Sequence, residues 1–103
     1  MTTLHTVNKS PHGSTALDDC LSRLGPGDAV LLIEDGALAA RKSLAFAERL
    51  AKLVTAGLAV HALAADLAAR GISPDQVAEG IRIVDYDGFV DLAAAHACCM
   101  CWN

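Results

Sequence analysis

The sequence predicts an α/β fold in which a mainly parallel, five-stranded sheet lies between two layers of helix, a three-layer α/β/α sandwich. Three features predict it. Short apolar segments of strand length alternate with helical stretches along the whole chain, the order that builds parallel sheets through helical crossovers. The segment Ala29–Glu34 is an unbroken apolar run until its last residue, as expected of a strand covered on both faces. Clusters of glycine, proline and aspartate separate the segments where loops are needed. The 103 residues fit one domain, 1–103.

Each element follows from local chemistry. Leu4–Val7 reads as the first strand, and a Ser-Pro-His-Gly-Ser loop follows it. Ser14 or Thr15 is placed to cap a helix that runs to about Leu24 and stops at Gly25-Pro26-Gly27. After Ala29–Glu34, Asp35-Gly36 turns into a long helix, about Ala37–Thr55, ending at Gly57. Leu58–Leu63 is the third strand. Asp66–Arg70 is a short helix closed by Gly71, and Ser73-Pro74 starts another short turn. Ile81–Val84, Asp87–His96 and Cys98–Trp102 complete the pattern as strand, helix and strand.

The long helix carries a readable face. At 100° per residue, Arg41, Lys42, Glu48, Arg49 and Lys52 fall within a sector of roughly 120°. Ala40, Leu44, Ala47, Ala51 and Val54 form the opposing stripe, expected to pack on the sheet, and Phe46, Leu50 and Leu53 widen it sideways. So wide a stripe reads either as a core face under a neighbouring helix or as a subunit interface.

Composition narrows the function classes. The chain is 53% apolar and only 4% aromatic, rich enough in apolar surface to fold and oily enough to favour burial against other chains. A net charge of −4, with only eight scattered Lys and Arg, argues against direct nucleic-acid binding, which needs basic patches. Met1–Ser10 lacks an apolar core of signal-peptide type, and no apolar run is long enough to span a membrane. Three of the four cysteines crowd into Cys98, Cys99 and Cys101, unlike a secreted disulfide framework. The cytoplasm, with reduced thiols, is the expected location.

Four blocks together resemble the DsrH/TusB family. They are Leu4-His5-Thr6-Val7-Asn8-Lys9-Ser10-Pro11, Gly27-Asp28-Ala29-Val30-Leu31-Leu32-Ile33-Glu34-Asp35-Gly36, Ala62–Ile72, and Val84-Asp85-Tyr86-Asp87-Gly88-Phe89-Val90-Asp91-Leu92 followed by His96 and Trp102. The resemblance implies a DsrEFH-like, flavodoxin-like sheet. It also implies an α2β2γ2 heterohexamer of DsrE/TusD-like, DsrF/TusC-like and DsrH/TusB-like subunits. Such complexes pass persulfide sulfur from an upstream TusA-like carrier to a downstream DsrC/TusE-like acceptor. One branch ends in 2-thiouridine of tRNA, the other in dissimilatory sulfur oxidation. The family's principal sulfur-carrying cysteine lies on the DsrE/TusD-like subunit and has no counterpart here. Family members from sulfur oxidisers often carry a cysteine in the first helix, which matches Cys20 and tilts the resemblance towards the DsrH branch.

Cys20 is the sharpest candidate, because sulfur transfer needs a thiolate that attacks a persulfide and carries its outer sulfur. With Leu17 as reference, Leu21 and Leu24 lie within about 40° and Cys20 about 60° to one side. That puts Cys20 at the edge of the apolar stripe, within a partner's reach. Asp18 and Asp19 flank it, with Arg23 the one local cation. A free cysteine on an apolar helical face equally reads as core. Cys98, Cys99 and Cys101 lack the second cysteine pair of a zinc site, so no metal is expected. They are expected to fill small spaces in the core or an interface, with Trp102 as an anchor. His12, after the first strand, occupies the ligand edge of open α/β sheets and reads equally as a solvated loop residue. His96 is expected at a helix end or in an interface hydrogen bond, and Asp66 and Asp85 as cap and turn residues. No glycine-rich phosphate cradle follows the first strand, so no cofactor is expected. Two functional classes stay open, a docking subunit whose chemistry lies on a sister chain and a participating persulfide carrier through Cys20. A third, an independent small-molecule or metal-binding protein, predicts a well-behaved monomer.

Overall fold

The computed structural model describes residues 2–42 and 45–103. Five strands, β1 (Thr3–Val7), β2 (Ala29–Leu32), β3 (Ala59–Leu63), β4 (Arg82–Val84) and β5 (Cys98–Trp102), form one sheet in the order β4-β3-β2-β1-β5. All four pairings are parallel. The helices are α1 (Ala16–Leu21), α2 (Ala45–Thr55), α3 (Ala64–Ala69) and α4 (Tyr86–Ala95). The predicted sandwich is therefore present, with its sheet wholly parallel.

The strand order decides which face each helix covers. Three successive crossovers, β1 to β2 to β3 to β4, step in one direction, so right-handed connections place their helices on one face. The crossover from β4 back to β5 runs the other way and leaves α4 on the opposite face. Two apolar clusters match this division. Val7, Val30, Leu32, Val60 and Ala62 pack with Leu17, Cys20, Leu50 and Leu67 on the thick side. Leu4, Ala29 and Leu31 meet Phe89 and Leu92 of α4 on the thin side. No residue of α4 is fully buried, so the layers are very unequal.

The long helix expected over Ala37–Thr55 is not continuous. Glu34–Ala40 forms a 3-10 helix, Arg41 is extended, and α2 begins at Ala45. Neither proline nor glycine breaks it. Tertiary pairing does: Ala78 N–H donates to Ala40 C=O at 2.8 Å and Lys42 N–H to Gln76 C=O at 2.9 Å, around an Arg41–Val77 bridge. The break re-phases the helix. Ala47 and Leu50 are its buried residues, Phe46, Leu53 and Val54 pack beside them, and Ala51 is exposed. Leu44, assigned to the stripe, lies outside the described residues. The wide stripe is thus core, against the thick face.

The second strand ends two residues earlier than expected. Glu34 adopts φ +50°, a left-handed conformation that side chains rarely take, so it cannot continue β2. The strain is held by Asp66, whose carboxylate accepts the Glu34 N–H at 2.7 Å. Asp66 thus caps the neighbouring 3-10 helix besides lying in α3, and Arg70 ties Asp35 to it. Asp85 acts as expected, accepting the Gly88 N–H at 2.8 Å at the start of α4. Ser73-Pro74 opens a 3-10 turn with a reciprocal Ser73–Gln76 capping box. Helix α1 stops at Leu21, short of Leu24, and Ser14 Oγ accepts the Ala16 N–H at its start.

Candidate functional site

Cys20 lies on α1 against the sheet, with no exposed surface. Its expected place at a reachable edge is corrected: the side chain is fully buried in the core cluster that also holds Leu17, Val30 and Leu50. Burial pushes the thiol up to about 12, and the Asp28 carboxylate adds to the effect. The local charge that matters is therefore the aspartate's, which opposes a thiolate, and not that of Arg23. In this chain Cys20 is a packed thiol, poorly suited to nucleophilic attack.

Beside it lies a network that sequence reasoning missed. The indole Nε1–H of Trp102 donates to His5 Nδ1 at 3.0 Å. Because an indole can only donate, the His5 proton sits on Nε2 and is given to Asp28 Oδ2, also at 3.0 Å. Asp28 further accepts the N–H groups of Thr3 at 2.9 Å and Gly25 at 3.0 Å. Burial alone would raise its carboxyl, but the bonds from Gly25, His5 and Thr3 outweigh it and bring it to about 2. The rings of His5 and Trp102 stack with centroids 6.2 Å apart. The network joins β1, β5 and the turn before β2, and Trp102 is the anchor expected of it. The signal was available: a histidine inside a buried strand needs a polar partner, and Asp28 stands directly before β2, in register with Thr3.

The C-terminal cysteines do not fill the core. Cys98, Cys99 and Cys101 are all exposed, because β5 is an edge strand and α4 crosses the sheet without covering it. Cys99 and Cys101 share a face of the strand, and burial, followed by the influence of the Cys101 thiol, raises the Cys99 pKa. Among the described residues no group of three or more His, Cys, Asp and Glu side chains is placed to hold a metal ion. His96 ends α4, and its Nδ1 lies 3.0 Å from Thr2 Oγ1. His12 lines an open depression of about 640 Å³ with Pro11, Gly13, Ser14, Thr15 and Asp18, apart from Cys20 and from the C-terminal thiols.

His61, in β3, is a second buried histidine. It is 5% exposed, on the face crossed by α4, and neither ring nitrogen has a hydrogen-bond partner. Burial, together with the charges of Arg82 and His96, lowers its pKa below 6.5. The unfolded chain therefore takes up a proton that the folded chain refuses. Stability is expected to fall as pH drops below about 6.5 and to level off once the folded form is protonated too. A His61→Leu variant should lose that slope in thermal unfolding between about pH 7.5 and 5. An unaltered slope would show that another group causes it.

Comparison with known proteins agrees with the fold. The sequence profile of the family described as DsrH like protein matches residues 9–98. Protein TusB of Escherichia coli K12 is 37% identical over 99 residues, covering 96% of this chain and 99% of that protein. Protein TusB of Enterobacter sp. strain 638 is 40% identical over the same shares. Among solved structures, the ychN protein from E. coli superposes with a TM-score of 0.77 at 18% identity, covering 99% of this chain and 100% of that one. MTH1491 from Methanobacterium thermoautotrophicum, a protein of unknown function, gives 0.74 at 16%, covering 94% and 96%. These two likenesses concern the fold.

Proposed function

Because the chain belongs to the DsrH-like family, we propose that it is a subunit of a cytoplasmic sulfur-relay complex, assembled with DsrE/TusD-like and DsrF/TusC-like sister chains. Its task is to complete the assembly and shape the surface that meets a DsrC/TusE-like acceptor, while a TusA-like carrier supplies the sulfur. The observation that carries this reading is where the apolar surface is left over. Among the described residues, Ile83, Tyr86, Val90 and Met100 are the large apolar side chains left exposed, on β4, α4 and β5 and none on α2. Apolar side chains left uncovered on α4 and on both edge strands support contact with other chains at these places.

The pathway assignment moves. Cys20 tilted the sequence reading towards sulfur oxidation, whereas the curated relatives at 32–40% identity are TusB proteins. We therefore favour the branch that ends in tRNA 2-thiouridine, where any contact with tRNA passes through a partner.

Cys20 tests the division of labour. A thiol fully buried and raised to about 12 supports a packing role, with sulfur carried on a sister chain. Cys20→Ser in the reconstituted complex is expected to leave sulfur transfer to the acceptor within about twofold of wild type, after allowance for the small core penalty. Loss of transfer with assembly intact, or a 32 Da adduct on Cys20 after loading, would make it a carrier.

A further inference from the structure

The pair Cys99 and Cys101 fits a chemistry that the relay reading does not use. In an extended strand, alternate residues point to the same side, so these two thiols project together while Cys98 and Met100 project from the other face. Both are exposed, and each is the other's nearest thiol on that face of the edge strand. Their neighbours on β1 are Leu4 and Thr6, which bring no carboxylate or imidazole.

The backbone keeps this pair from closing on itself. Two residues of strand separate the Cα atoms by about 6.6 Å, at the outer end of the range a disulfide accepts, and the parallel Cβ vectors stay well beyond the required ~3.8 Å. Oxidation would have to bend β5. That strand is pinned at both ends, by Ala97 and Cys98 N–H groups on Thr2 C=O, by Asn8 N–H on Trp102 C=O, and by the Trp102–His5 bond. A single ion asks for less. With metal–sulfur bonds of about 2.3 Å it holds two sulfurs up to ~4.6 Å apart, a span that same-face thiols two residues apart reach by rotating about χ1 towards each other.

We propose that Cys99 and Cys101 form a two-thiolate site for one soft, monovalent d10 cation of the Cu(I) class. Thiolates select soft ions. With no third His, Cys, Asp or Glu ligand in place among the described residues, the site suits two-coordinate ions and excludes zinc, which takes four. Binding involves no redox step: two thiols give up two protons as two metal–sulfur bonds form, leaving a complex of charge −1. Affinity therefore rises with pH by up to about a hundredfold per unit while both thiols are protonated.

The test uses the full, reduced chain titrated with Cu(I) under anaerobic conditions against a chromophoric Cu(I) chelator, with native mass spectrometry as the second readout. One Cu(I) per chain is expected, at a deconvoluted mass gain of one copper less one proton, because the cation's own charge stands in for one of the two protons released. Cys99→Ser and Cys101→Ser are each expected to weaken binding by at least roughly a hundredfold, more than loss of an outer-shell group costs. Cys98→Ser and Cys20→Ser are expected to bind as wild type does, and circular dichroism confirms that each variant is folded. Equal loss in Cys98→Ser, wild-type binding in Cys99→Ser or Cys101→Ser, or absence of the steep pH dependence would overturn the site.

Discussion

An alanine at position 36 is expected to prevent stable folding. A Cβ there would stand 2.0 Å from the carbonyl oxygen of Val7 and 2.8 Å from its carbonyl carbon. Both are backbone atoms of β1, so no side-chain rotation relieves the clash. The same Val7 oxygen accepts the Ile33 N–H at 3.0 Å, and the Gly36 N–H donates to Ile33 C=O at 2.8 Å. Any shift that makes room therefore opens the junction of β1, β2 and the 3-10 helix. A glycine-to-alanine change at an unstrained site stabilises by about 0.4–1 kcal/mol. Here the loss should exceed about 4 kcal/mol, comparable with the whole stability of a small domain. Far-ultraviolet circular dichroism and urea unfolding of Gly36→Ala would measure it. A variant that unfolds near the wild-type midpoint would refute the close approach.

Asp28→Ala should cost about 3 kcal/mol or more, because three donors lose their acceptor at once. Thr3 N–H, Gly25 N–H and the His5 Nε2–H all converge on this carboxylate. Asparagine is a poor rescue. Oδ2 accepts two of the three bonds, and an amide NH2 in its place would face donors. The same carboxylate sets an acid limb. Its folded pKa of about 2 lies below the ordinary 3.8, so its stabilisation is complete above about pH 4 and is lost as pH falls towards 2. Urea unfolding at pH 7 and near pH 3 should show a gap between wild type and Asp28→Ala that narrows in acid. A gap that stays constant would assign the effect to packing alone. This acid window is distinct from the milder one of His61, which opens below about pH 6.5.

The strands and their order along the chain were legible because continuous apolar runs admit few other structures. The long helix was misread for a reason absent from its own residues. Ala37–Ala40 favours helix locally, but pairing of Ala40 and Lys42 with Ala78 and Gln76 imposes an extended kink. Periodicity counted across that kink rotated the buried stripe and left Ala51 on the wrong side. Cys20 was found as a candidate but not its depth, since coverage by the sheet depends on strand order, which one sequence does not state. The thiols of β5 were placed in a strand with the right bounds, Cys98–Trp102. Their exposure was missed because an edge strand can be recognised only once its neighbours are known.

Native mass spectrometry of the chain co-expressed with DsrE/TusD-like and DsrF/TusC-like subunits is the direct test of assembly. The expected result is a single species with two copies of each subunit. Substituting Tyr86 and Val90, both exposed on α4, by aspartate should release this chain from it. Recovery of the wild-type chain as a free monomer beside a complex of the other two would contradict the account.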